Sequence, residues 1–330
     1  MDKGAVTVRG TTARITQMPD TIQLPTALRA AIEEFERWSD DLLRTEQQNN
    51  TITEPLYHYT DGRGLKGIIE SQTIWFTDYR HLNDPSELSY GIEKARDLMR
   101  QAATGADVYG RAFLECLSDM LSLRKFARLE FFIASFSRER DELGQWRAYA
   151  DNGRGYALGI QASVLDDLEA FVSPVFYSTK EILRRHSVAI DKAFELFRNA
   201  MDADPCLREN PDLFDQFVQT FCRTVLASVL IWNCLTSKHN AYDREQEVRL
   251  IILGERDKLT PKITTRLRGS EIVPYIAQQL AIRGAEAIFE IVTGPAAGAD
   301  AERTVRTMLR SFNIDDKVPF ESSGIPYRPL

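Results

Sequence analysis

Cysteine is scarce in this sequence and forms no recognisable pair. Cys116, Cys206, Cys222 and Cys234 include no CxxC and fall mostly in helical patterns, which speaks for reduced, packed thiols and against a disulfide framework or a zinc site. Long apolar runs are missing too. The longest, Val225 to Trp232, is far below the ~20 residues that span a bilayer, and the N-terminus has no signal-like stretch, so a cytoplasmic protein with no membrane partner is expected. Positive charge is not in excess: 41 Lys and Arg against 48 Asp and Glu give a net charge of -7, which removes any bulk attraction to nucleic acid. Several familiar sites are also absent. Without GxxxxGK[ST], GxGxxG after a strand, HExxH or GxSxG, the chain is not expected to be a P-loop NTPase, a Rossmann dehydrogenase, a zinc protease or an α/β-hydrolase, and no metal is expected.

What is present suits a globular chain with a sizeable core: 43% of the 330 residues are apolar and 27% charged. Residues 1–24 are polar and irregular and read as a weakly ordered leader. Residues 25–48 form a helix with Leu28, Ile32, Phe35, Trp38 and Leu42 on its apolar face. Residues 55–328 read as one α+β domain, with short strands at 56–60, 74–77, 131–136, 156–160, 247–253 and 287–292. An edge strand follows from Val172 to Tyr177, demoted by Pro174, and a last strand lies near 318–320. Helices are expected at about 64–71, 85–104, 107–127, 276–283 and 300–311. A helical insertion over about 179–240, built on helices 179–202 and 211–236, covers one side.

Three strand ends carry the polar residues of interest. Tyr57-His58-Tyr59-Thr60 closes a strand and turns through Asp61-Gly62 into a helix, whose open N-terminus would suit an anion such as a pyrophosphate. Ser135 and Ser137 flank Phe136 at the end of a second strand. Glu245, Glu247 and Arg249 alternate on a third and so point to one face. Each has a plainer alternative. His58 would be a half-buried histidine satisfying a backbone carbonyl, the serines would bond a neighbouring loop, and Glu247 with Arg249 would be a surface ion pair. In Asn83-Asp84-Pro85, Asp84 reads as a helix cap, while Asn83 and Glu87 would hold the site loop.

These motifs, with Ile74-Trp75, Trp146 and Tyr149, and Gly294-Pro295, resemble a bacterial family known as domain of unknown function 2971, over about residues 55–328. That family in turn resembles remote members of the ADP-ribosyltransferase superfamily. The resemblance implies a small, split, mixed or antiparallel sheet wrapped by helices and NAD as substrate. It also implies transfer of ADP-ribose to a protein or nucleic-acid acceptor, as in a toxin or anti-phage effector; NAD hydrolysis and a non-catalytic binding module are the alternatives. Glu247, or else Glu245, would stabilise the developing ribosyl cation. His58 would hold the adenosine ribose, and Tyr59, Thr60, Asn83, Ser135, Ser137 and Trp146 would line the cofactor site. Arg249 or Arg147 would pair with the pyrophosphate, and Tyr79 or Tyr149 would stack on nicotinamide.

Overall fold

The computed structural model describes residues 24–82, 87–121, 129–282, 287–314 and 318–328. Among them ten strands form one open, mixed sheet: β1 (Leu56–Thr60), β2 (Thr73–Asp78), β3 (Leu129–Ser137), β4 (Tyr156–Ile160), β5 (Phe171–Pro174), β6 (Glu247–Glu255), β7 (Thr264–Arg268), β8 (Glu271–Gln279), β9 (Ile288–Thr293) and β10 (Phe320–Ser322). With its helices this is the expected α+β class, though the ten-stranded sheet is larger than the small one expected.

Strand β3 sits at the middle because Phe131-Phe132-Ile133-Ala134 is apolar on both faces, the signature of a strand covered from both sides. Strand β6 pairs along one edge of β3 over its full length, and β5 with its Pro174 follows on the outside. The other edge is shared. β1 meets it only at Ser137 (opposite Tyr57), and β2 meets it lower down, at Phe132 and Ile133 (opposite Asp78 and Thr77). Between these contacts β1 and β2 part, so the sheet is split beside Ala134, Ser135 and Phe136.

Each face has its own core. On one, the helices Thr26–Asn49, Val108–Met120, Thr179–Ala203 and Pro211–Val225 meet in a phenylalanine cluster (Phe35, Phe113, Phe197, Phe217, Phe221) that rests on Phe131, Ile133 and Ile251. On the other, Leu65 and Ile69 from the helix Gly62–Ser71 and Leu309 from Ala301–Ser311 pack on Phe132, Phe136, Val248 and Leu250. The stretch Pro211–Leu235 is long and apolar enough to cross a membrane, but 67% of its most apolar window is buried in this fold, so core packing accounts for its composition. The four cysteines are free thiols, with Cys222 and Cys234 buried, Cys116 half-buried and, contrary to the packed-thiol expectation, Cys206 exposed.

Some expectations need correction. Residues 276–279 are not helical: β8 runs through them, because Phe76 opposite Ile276 and Trp75 opposite Ala277 complete a ladder with β2 that outweighs the helix propensity of Ala277-Gln278-Gln279. Strand β7, unannounced by any apolar alternation, forms against β8 and is exposed along most of its length. The helix expected at 211–236 contains a π-type turn at Leu226–Leu230. The helix expected at 107–127 ends at Met120, and residues 122–128 lie outside the described residues, as do Asn83, Asp84 and Pro85 of the turn before Glu87–Thr104.

Candidate functional site

Register decides which side chains can meet. Ser137 stands opposite Glu247, Ser135 opposite Arg249 and Tyr57 opposite Ser137, so Tyr57, Tyr59, Ser135, Ser137, Glu247 and Arg249 share one face. His58, between the two tyrosines, belongs to the opposite face with Leu56, Leu158 and Phe136. His58 therefore lies on the other face of the sheet from Ser137 and Glu247, so the three strand ends do not line one face. At the split it is the Ser135 backbone that touches His58. The Nδ1 of His58 is 3.0 Å from the Ser135 carbonyl oxygen, and the Ser135 side chain, on the other face, helps to lower the Glu247 pKa.

That carbonyl only accepts, so Nδ1 of His58 carries the proton and Nε2 presents a lone pair. Burial holds the imidazole below its ordinary range; the Ser135 carbonyl acts the other way, and the Arg266 charge adds to the lowering. His58 is thus neutral at pH 7 and can accept a hydroxyl hydrogen bond from a ligand. His58 and Ser135 are both partly exposed, whereas their neighbours Tyr57, Tyr59, Phe136 and Ser137 are buried.

Glu247 lies behind Ser135 at 6% exposure. Its Oε1 accepts from Arg249 Nε (2.9 Å), and its Oε2 accepts from Arg249 Nη2 (3.0 Å) and Lys238 Nζ (3.1 Å). Burial alone would raise its pKa. The Arg249 and Lys238 charges, with the Arg249 bonds and the Ser135 side chain nearby, outweigh it and bring the value to about 2. The backbone N–H of Glu247 donates to the Tyr177 hydroxyl, and Arg249 Nη1 donates to the Leu235 carbonyl at 2.6 Å. This is a buried charge cluster and not the surface ion pair set against it.

Glu245 is not on the strand. It ends a short 3-10 turn, Asn240–Glu245, and Gln246 takes a left-handed conformation (φ 41°) before β6 begins, so alternation does not carry across this step. The Glu245 carboxylate nonetheless reaches the same cluster, 2.7 Å from Lys238 Nζ. Lys238 and Tyr177 were missed by sequence reasoning, which read Tyr177 as the end of the edge strand and Lys238 as part of the helical insertion; the signal was the second glutamate, which Arg249 by itself left without a partner.

Other candidates serve the frame. Trp146 is fully buried, donates its indole N–H to Asp141 at 2.7 Å and meets the Tyr59 ring edge-on at 4.8 Å. It is not exposed to a ligand, and Tyr59 is tied up as well: its hydroxyl donates to the Glu139 carbonyl and accepts from the Glu142 N–H. Ser137 donates to the Glu245 carbonyl at 2.6 Å and accepts from the Glu139 N–H, the loop-bonding role set against its site role. Thr60 is buried against Gly64, where a Cβ would run into its hydroxyl. The helix N-terminus after β1 is not open for an anion, because Asp61 caps it through the Gly64 N–H at 2.7 Å. Arg147 is exposed, Tyr149 packs on the Trp146 cluster and Tyr79 on Phe131. Gly294 fits directly on the Gly153 backbone and the Trp146 ring, which explains Gly294-Pro295 as a packing motif.

Residues 145–250 match the family model described as Protein of unknown function (DUF2971). The matched segment runs from the Trp146 helix through Lys238 to Glu247 and Arg249, and it supports the resemblance to that family. No curated protein and no solved structure matches the chain.

Proposed function

We propose that the split beside Ser135 binds NAD and that the protein transfers ADP-ribose from it to a protein or nucleic-acid acceptor. The observation that carries this reading is the Ser135 junction. A neutral histidine with a free Nε2 stands on one side, suited to a ribose hydroxyl, and an ionised, largely desolvated carboxylate stands on the other. In the reaction the bond from ribose C1′ to the nicotinamide nitrogen breaks and its electron pair leaves with neutral nicotinamide. The ribose passes through an oxocarbenium-like state, and the acceptor's nucleophile bonds to C1′ and gives up its proton. Glu247 supplies negative potential to that state, with Lys238 and Arg249 fixing its position and Glu245 balancing Lys238. A role as toxin or anti-phage effector accords with the family resemblance.

One observation favours a second reading. Both oxygens of Glu247 are already bonded to cations, which is the arrangement of a structural cluster in a non-catalytic binding module. Incubation with NAD labelled in its adenylate half separates the outcomes. A transferase yields free nicotinamide and label on a macromolecule, a hydrolase yields nicotinamide with free labelled ADP-ribose, and a binding module yields neither.

A further inference from the structure

Arg266 is out of keeping with the other cations of the β2–β8–β7 wing. Arg80 pairs with Asp78 and Glu130, Arg256 with Glu130, and Arg268 with Glu271. Arg266 has no carboxylate partner among the described residues. Its guanidinium lies over the Trp75 ring at 4.8 Å and the Tyr275 ring at 5.7 Å, and Nη2 donates to the Thr77 hydroxyl at 2.9 Å. Burial and the Arg268 charge both lower its pKa, so holding a proton there is costlier than in water.

The register puts this ledge on the face that carries Ser135 and Glu247. Arg266 is opposite Val273, Tyr275 opposite Thr77, and Thr77 opposite Ile133, two residues before Ser135. Strand spacing and the rise between same-face residues place Thr77 on the order of 8 Å from Ser135, about the reach of one nucleotide. Trp75 remains 37% exposed, and its ring makes a tilted contact with Tyr275 at 4.6 Å.

From this geometry we infer that Arg266, Trp75, Tyr275 and Thr77 form a subsite for a nucleoside diphosphate on the β2 side of the split, Arg266 taking the pyrophosphate and Trp75 the flat base. A half-buried guanidinium with one side-chain bond keeps donors in its plane, and their fork matches two phosphate oxygens. The exposed indole offers a stacking surface at little cost in side-chain entropy. The inference deepens the NAD reading and rests on it for the identity of the complete ligand; recognition of the diphosphate and the base stands on the ledge alone.

The test is calorimetric titration of the full chain with ADP, ADP-ribose and adenosine, using wild type, Arg266→Gln, Arg266→Lys and Trp75→Leu, with thermal midpoints alongside. Wild type should bind ADP and ADP-ribose well above adenosine. Arg266→Gln should weaken ADP at least ten-fold while changing adenosine less than two-fold, Arg266→Lys should fall between, and Trp75→Leu should weaken all three. If wild type binds neither ADP nor ADP-ribose, or if folded Arg266→Gln and Arg266→Lys bind ADP as wild type does, the subsite does not exist. Should Arg266→Gln fail to fold, the Arg266→Lys and Trp75→Leu titrations decide alone. The two readings fail separately: Arg266-dependent ADP binding without nicotinamide release leaves the subsite and removes the enzyme, whereas NAD cleavage with an unchanged KM in Arg266→Gln removes the subsite and leaves the enzyme.

Discussion

Glu247 and Arg249, two residues apart on one strand face, close a bidentate ion pair at 2.9 and 3.0 Å with 6% and 2% of their surface exposed. The pair lies in the protein interior, with Lys238 on the same carboxylate, and this changes what a substitution there will do.

Glu247→Gln keeps the shape of the side chain and removes the charge that Arg249 and Lys238 face. Breaking one partner of a buried ion pair typically costs about 3–5 kcal/mol because the remaining charges stay desolvated. An exposed pair would have cost about 0–1 kcal/mol. We therefore expect a denaturation midpoint well below wild type, together with a hundred- to thousand-fold loss of nicotinamide release, roughly the worth of one preorganised group. Denaturant titration and a rate assay run below both midpoints separate the two effects. A stability within 1 kcal/mol of wild type would refute the buried cluster.

Trp146→Phe tests whether this ring serves the frame or a ligand. The variant leaves Asp141 without the indole N–H, though Ser323 and the Gly324 N–H still bond that carboxylate. The expected cost is about 1–3 kcal/mol of stability, with no change in KM for NAD. A KM shift of ten-fold at unchanged stability would return Trp146 to the site.

His186 should set part of the acid limb of stability. It is fully buried, neither ring nitrogen has a hydrogen-bond partner among the described residues, and burial with the Arg185 charge lowers its pKa from 6.5 to about 3. The unfolded chain therefore takes up this proton first, so stability is complete above pH 6.5 and falls as the pH drops toward 3, by up to about 5 kcal/mol. His186→Leu should flatten unfolding free energy between pH 6.5 and 4.5, above the range in which Glu247, lowered from 4.5 to about 2, adds its own loss. An unchanged slope in that variant would show that other groups control this limb.

What the sequence determined by itself was local. Phe131-Phe132-Ile133-Ala134 read as a strand covered on both faces, Asp61 before Gly62 marked where β1 ends and a helix starts, and the phased apolar residues of the N-terminal helix named its buried face. Period and capping act over a few residues and are written in the chain. The split of the sheet was expected from resemblance, and its place was set by two strands competing for one edge of β3. The site was decided at longer range. A single left-handed residue, Gln246, ended the alternation that had put Glu245 on the strand, and only packing brought Lys238 between the two glutamates. His58 fell on the opposite face because Tyr57, its neighbour on β1, stands opposite Ser137, yet its ring still reaches the Ser135 carbonyl at the split. Arg266 stands on a strand that exists only because β8 pairs with β2. Such pairings join residues as far apart as Thr73 and Gln279, and their energies come from burial and charge neutralisation that no local pattern encodes.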